Sequence, residues 1–305
     1  MDSSQPLDAP MRSLLYTPGH REAMVARVLG GGPAVTPDVA LLDLEDGVPG
    51  AEKESGRRVI AAALARPRGG CLRFVRVGRS TSDEADADLA AVVRLGLDGI
   101  VVPKVARAAE LALVDEMLLE RERAAKMGER SVRVIGSIES AAGLIAAPEI
   151  ARAPRLVGLM FGSEDFAADL GLPPRREGEA AEMLYARSAI VVAAAAAGIL
   201  AFDGIWADFT DAAGLRRDAV LGRRLGFAGR QCIHPDQVAV VNEVFTPSAE
   251  EIERARRVVE AFDDGIARGL GAIALDGEMI DAPIVERARR VLRMARGAAP
   301  RARRG

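Results

Sequence analysis

Eight short apolar segments recur along the first part of this chain, and a stretch with helical periodicity separates each from the next. The apolar segments are Ser13–Tyr16, Val39–Leu44, Leu72–Val77, Gly99–Val102, Val132–Ile138, Leu156–Gly162, Ile199–Phe202 and Phe227–Ile233. Helices are expected over His20–Leu29, Ala51–Ala65, Leu89–Leu95, Ala106–Lys126, Ala141–Ala151, Glu177–Ala197 and Asp211–Leu225. Runs that are apolar on both faces belong to strands buried on both sides, which are parallel strands covered by crossover helices. Eight such units without a break in composition predict an α/β fold, a (β/α)₈ TIM barrel with a C-terminal helical extension. The barrel is expected over 11–240 as the catalytic domain, with the extension over 241–305. In the extension, Ser248 and Glu251 form a capping box opening a helix to about Ala267. A glycine-rich connection over Gly269–Asp281 follows, then a last helix over Ile284–Arg296. An appendage of this kind either packs on its own barrel or acts as a lid reaching a neighbouring subunit.

Composition excludes several functions. The 41 basic and 44 acidic residues give a formal charge of −3, so no nucleic-acid or membrane-surface partner is expected. Aromatics make up only 4%, too few for a base-stacking platform. The longest apolar run, Ala189–Leu200, is too short to span a bilayer, and MDSSQPLDAP lacks the basic and apolar regions of a signal peptide. A cytoplasmic protein is expected. Cys71 and Cys232 lie in apolar runs as small buried hydrophobes, and the two cysteines and two histidines have no zinc-ligand spacing.

The residues at the expected C-terminal strand ends are Thr17, Glu45, Arg76, Lys104, Glu139, Asp165, Asp203 and His234. Barrel enzymes keep their chemistry at that rim. Glu139 and Asp165 close two successive strands, which a βαβ unit sets side by side. Two converging carboxylates with oxygen-only company suit a hard divalent cation, Mg²⁺ first. The bland alternative makes them caps of the helices that follow. Arg76 could simply pair with Glu45 across the mouth, Lys104 could be a solvated loop residue, and His234 could be a structural hydrogen-bonder. Strand alternation puts Asp43 and Glu45 on one side and Asp46 on the other. The glycine run Gly30–Gly32 follows a helix and is no phosphate cradle, which leaves the helix start near His20 and Arg21 as the better anion site. No Gly-x-Ser-x-Gly elbow, Cys/His pairing or dinucleotide fingerprint is present, and the remaining kit fits metal-assisted enolate chemistry on an acidic substrate.

Seven segments together resemble the HpcH/HpaI aldolase/citrate lyase superfamily. They are RSLLYTPGHREAM (12–24), LLDLEDGVPGAEKESGR (41–57), FVRV (74–77), GIVVPKV (99–105), IGSIESAAGL (135–144), FGSEDFAADLG (161–171) and QCIHPDQV (231–238). The nearer resemblance is to the CitE-like CoA-ester lyases: citrate lyase β subunit, malyl-CoA lyase and citramalyl-CoA lyase. It implies a homo-oligomer, trimer or hexamer, with Mg²⁺ at the barrel mouth. By motif, Glu139 and Asp165 are the implied metal ligands and Arg76 the clamp for a substrate carboxylate. Glu45 and Asp46 are implied to hold metal-bound waters or orient the ligands. Arg12 and the segment Pro18–Arg21 are implied to line the approach of the acyl-CoA, and Lys104 to sit with the substrate-binding residues. The branch brings an Asp from a neighbouring subunit, which GEMIDAP places at Asp281, with Asp276 the second choice. Two departures are Gly78-Arg79 after Arg76-Val77, where relatives commonly have Asn, and a missing Asn near His20.

The implied reaction is Mg²⁺-dependent cleavage of a 3-hydroxy-3-carboxyacyl-CoA (malyl-CoA, citramalyl-CoA or citryl type) to acetyl-CoA, or an acetyl thioester, and a 2-oxo acid. Asp281 would protonate the departing enolate. Rival expectations are thioester hydrolysis on the same scaffold and a non-catalytic barrel that binds CoA esters.

Overall fold

The computed structural model describes residues 9–30, 36–173 and 180–298. Eight parallel strands close into one barrel in sequence order: β1 (Ser13–Pro18), β2 (Val39–Asp43), β3 (Leu72–Arg76), β4 (Gly99–Val102), β5 (Arg133–Ile138), β6 (Leu156–Phe161), β7 (Leu200–Asp203) and β8 (Gly229–Cys232), which pairs back onto β1. The intervening helices are α1 (Glu22–Leu29), α2 (Lys53–Leu64), α3 (Asp83–Val92), α4 (Ala108–Ala124), α5 (Ala141–Ile150), α6 (Ser163–Asp169), α7 (Leu184–Ala197) and α8 (Ala212–Leu225), and α9 (Pro235–Phe245) follows β8. Among the described residues, no helix is long and apolar enough to cross a membrane.

Period-two alternation divides each strand between two cores. Leu15, Leu42, Val75, Ile100 and Val134 join the apolar layer beneath the helices. Leu14, Leu41, Phe74, Val101 and Ile135 are as fully buried but outside that layer, on the alternate face that fills the barrel's interior. Gly99 leaves room for this filling, since a Cβ there would stand 2.3 Å from the Phe74 ring. Two residues further on, the same inward face carries Tyr16, Asp43, Arg76 and Ser137, so the interior turns from apolar to polar towards the strands' C-terminal ends.

Several boundaries differ from the sequence expectation. The third helix starts at Asp83, not Leu89, because the Ser82 side chain accepts the Ala85 N–H and caps an acidic first turn of Asp83, Glu84 and Asp86. Charge at a helix start favours the helix electrostatically while hiding its apolar period. The α4 segment, expected as an exposed helix with ion pairs along its own face, instead buries Asp115 and Glu122 against Arg155, with Nε–Oδ1 at 2.5 Å and Nη1–Oε1 at 2.9 Å. Residue 240 falls inside α9, and the chain divides into two compact units after Phe245. The start of the long Ala-rich helix expected at Glu177 lies outside the described residues.

The second unit pairs α10 (Ala249–Ala267) with α11 (Ala282–Ala298) over Ala255, Val258, Phe262, Ile280, Val285 and Ala288. Its capping box forms as expected, Ser248 Oγ accepting from Glu251 N at 3.1 Å and Glu251 accepting from Ser248 N at 2.7 Å. The expected glycine-rich connection holds a hairpin, β9 (Ile273–Leu275) against β10 (Glu278–Ile280). Asp276 and Gly277, at φ 51° and 82°, make its two-residue turn, the left-handed pair that Asp-Gly favours.

Candidate active site

The barrel mouth holds a cavity of about 320 Å³ whose walls include Tyr16, Asp43, Arg76, Ser137, Glu139, Asp165 and Gln231. Glu139 follows β5 directly and is 6% exposed. It accepts the Ser137 side chain and the Lys104 main-chain N–H, yet burial first, with the Asp165 and Glu45 carboxylates adding, pushes its carboxyl up to about 7. Asp165 stands in the first turn of α6, half exposed. Neither acid caps a helix: Ser140 caps α5, accepting Gly143 N–H at 3.1 Å, and Gly162 holds the cap position of α6. Both carboxylates are therefore free of cap duty and line one cavity.

Gly162 makes the placement of Glu139 possible. The register Ile138–Phe161 sets Glu139 beside it, and a Cβ on Gly162 would come within 2.3 Å of Glu139 Cγ. Gly162→Ala is expected to lower stability by about 1–3 kcal/mol, as overpacking does, checked by urea unfolding.

Arg76 is held from two sides. Its Nε and Nη2 fork onto Asp43 at 2.6 and 2.7 Å, and its guanidinium lies 4.7 Å above the Tyr16 ring. Asp43 is fixed in turn by the main-chain N–H groups of Glu45 and Gly47, each at 2.9 Å. The third nitrogen, Nη1, lies 3.0 Å from Glu45 Oε2. The cross-mouth pairing with Glu45 thus exists, but the tighter partner is Asp43. Beneath, the Tyr16 hydroxyl donates to Gln231 Oε1 at 3.0 Å, and Gln231 Nε2 donates to the carbonyls of Phe161 and Asp203.

Lys104 is no solvated loop residue. Its Nζ lies 2.8 Å from Glu45, 2.9 Å from Asp46 and 3.7 Å from Asp165. Burial pushes the Glu45 carboxyl up. Burial also acts upward on Asp46, but hydrogen bonds with Lys104 and Glu45 outweigh it and leave Asp46 lowered. The mouth is acidic overall, with Asp43, Glu45, Asp46, Glu139, Glu164 and Asp165 set against Arg76 and Lys104. Its acids offer oxygen donors, and one of them, the buried Glu139, accepts only a hydroxyl and an amide. That donor set fits a hard divalent cation.

Other expected residues stand elsewhere. Arg12 precedes β1 and so lies at the barrel's N-terminal end, opposite the mouth, where its N, Nε and Nη2 bind Asp38 at 2.8, 2.8 and 2.9 Å. It cannot line the approach of an acyl group at the other end. Arg21 is exposed at the cap position of α1, with Glu22 in the first turn, and is not part of the cavity wall. Asp203 is buried in a network with Arg187 (Nη2 2.5 Å) and Arg230 (Nη1 3.2 Å), both of which also bind Asp218. His234 stacks on Phe209 with centroids 4.9 Å apart and faces Asp236, a structural role. In the second unit, Asp281 accepts the Ile284 N–H at 3.3 Å as α11 begins, while Asp276 pairs with Arg257 at 2.7 Å. Sequence reasoning missed Tyr16, Ser137 and Gln231 and gave Asp43 no role. Counting two residues on from the inward Leu14, Leu41 and Ile135 finds Tyr16, Asp43 and Ser137.

A closed parallel barrel with several carboxylates and a clamped arginine at its C-terminal mouth defines a barrel enzyme with an acidic site. The model of the HpcH/HpaI aldolase/citrate lyase family matches residues 12–235, and the chain belongs to that family of lyases. The citrate lyase subunit beta of Escherichia coli K12 is 37% identical over 93% of each chain. A (3S)-malyl-CoA thioesterase of Cereibacter sphaeroides is 34% identical over 94% of this chain and 95% of its own. The structure of CitE from Mycobacterium tuberculosis in complex with magnesium, acetoacetate and coenzyme A superposes with a TM-score of 0.75 at 32% identity, covering 95% of this chain and 99% of that one.

Proposed function

We propose that this chain is a Mg²⁺-dependent lyase that splits a 3-hydroxy-3-carboxyacyl-CoA into acetyl-CoA and a 2-oxo acid, with glyoxylate, pyruvate or oxaloacetate as products of the respective substrates. The observation that carries the reading is the convergence of Glu139, Asp165 and Arg76 on one cavity. The magnesium CitE complexes support the cation. Glu139 and Asp165 would hold it, and when bound it supplies Lewis acidity to the substrate's hydroxyl and carboxylate oxygens.

Arg76 orients the acid. Asp43 uses its Nε–Nη2 edge and Tyr16 one face, so Nη1 and the second Nη2 hydrogen are the donors left for a substrate carboxylate. Substrate exchanges with Glu45 at Nη1, and the fork onto Asp43 means that little side-chain freedom remains to be lost on binding. Glu45, released from Arg76, and Asp46 remain on Lys104 and orient water or substrate at the rim. Glu45 takes the proton of the substrate hydroxyl as that oxygen becomes the oxo group, and loss of the C–C bond leaves an acetyl-CoA enolate, whose carbon takes a proton from Asp281 of a neighbouring copy in a trimer or hexamer.

The decisive assay supplies malyl-CoA, citramalyl-CoA and citryl-CoA with and without EDTA and reads oxo acid and free thiol separately. Oxo acid without free thiol, lost in EDTA, is the expected result. The similarity to a malyl-CoA thioesterase supports a second reading, hydrolysis of the thioester, for which thiol would appear without oxo acid.

A further inference from the structure

Lys104 touches both carboxylates assigned to the metal. Its main-chain N–H is bonded to Glu139, and its ammonium lies 3.7 Å from Asp165 Oδ1. The same ammonium sits 2.8 Å from Glu45 Oε1 and 2.9 Å from Asp46 Oδ2. The residue adopts φ 54°, a region sparsely populated by residues that carry a Cβ. This turn follows β4 and Pro103, and it brings amide and ammonium of one residue to the same acidic mouth.

Resting on the reading that Glu139 and Asp165 bind a divalent cation, we propose that Lys104 is an internal counter-ion that competes with that cation for Asp165. In the metal-free enzyme its ammonium offsets part of the negative charge of the mouth. A dication arriving at Asp165 meets a positive charge already on that carboxylate, and two cations on one carboxylate repel. The ammonium then gives up Asp165 and stays with Glu45 and Asp46, to which it is bonded at closer distances. Arg76 cannot take over the neutralising role, since its fork is committed to Asp43. Lys104 is therefore a positioning residue: it stabilises the empty site and lowers affinity for the ion.

The test uses the full chain and MgCl₂ as the only ligand. Lys104→Met keeps the aliphatic stem and removes the charge, and Lys104→Gln serves if the first variant fails to fold. Calorimetric titration is expected to show one ion per chain in the wild type and an Mg²⁺ Kd about tenfold lower in the variant. Thermal unfolding is expected to show a lower Tm than wild type in EDTA and a larger rise on adding Mg²⁺. A folded variant whose Kd is unchanged or higher overturns the assignment, as does a second bound ion with the first site unaltered. Absence of Mg²⁺ binding in the wild type, or equal binding by Glu139→Gln, overturns the metal reading itself, an outcome separate from failure at Lys104.

Discussion

Glu139→Gln is expected to lose at least about 10³-fold in lyase turnover, about 4 kcal/mol of transition-state stabilisation, while making the metal-free protein more stable above neutral pH. The two effects share one cause. Glu139 is 6% exposed and has no cation bonded to it among the described residues. Burial raises its carboxyl from 4.5 to about 7, with Asp165 and Glu45 adding to the effect against the bonds from Ser137 and Lys104. A carboxyl whose folded-state pKa lies above its unfolded value favours the native state's proton. Ionising it costs nothing below pH 4.5 and reaches its full penalty above about pH 7. That penalty is about 3 kcal/mol. Glutamine keeps the shape, accepts the Lys104 N–H and has no charge to desolvate. Urea unfolding in EDTA should therefore give equal stabilities for the two proteins near pH 4.5 and a more stable variant at pH 8. A variant less stable at pH 8 would mean that the carboxylate is well solvated or paired, contrary to the burial seen here.

Asp43→Asn is expected to cost about 3–5 kcal/mol of stability and about 10²-fold in kcat/KM, although Asp43 is assigned no contact with the reacting bond. Its side chain is 3% exposed and carries the whole Nε–Nη2 edge of Arg76 together with two main-chain N–H groups of the following turn. An amide offers one acceptor and turns an NH₂ group towards a guanidinium that has nowhere to go. Breaking one half of a buried pair is costly because the remaining charge stays buried. Arg76 would then be drawn to Glu45 and lose the orientation that presents Nη1 to substrate. The loss should appear mainly in KM for the CoA ester if the misplacement affects binding, with the cation affinity measured by calorimetry little changed. Comparison with Arg76→Lys separates charge from fork, because lysine keeps the charge and lacks the bidentate geometry.

The parts of this site differ in how far a linear reading reaches them. Glu139 and Asp165 were legible because each closely follows a buried run, and a parallel barrel collects successive strand ends on one face. Glu45 was legible as a strand-end acid, but its partners were not. Lys104 lies 59 residues away and Arg76 is set opposite Asp43 only by the β2–β3 register. Arg12 was misplaced for a different reason. Its motif continues into residues that do reach the mouth, yet a residue preceding a strand lies at the strand's other end. The missed hairpin in the second unit was local, signalled by Asp276-Gly277 between short apolar stretches.

By itself the sequence determined the barrel. Eight apolar runs separated by amphipathic helices leave the chain few ways to bury both faces of each strand, and apolar burial is indifferent to which neighbour supplies it. Only the tertiary structure decided the pairing of charges: Arg76 with Asp43, Arg155 with Asp115 and Glu122, Arg187 with Asp203 and Asp218. A hydrogen bond depends on distance and direction to a tenth of its length, whereas the pattern of a sequence carries only which face a residue is on.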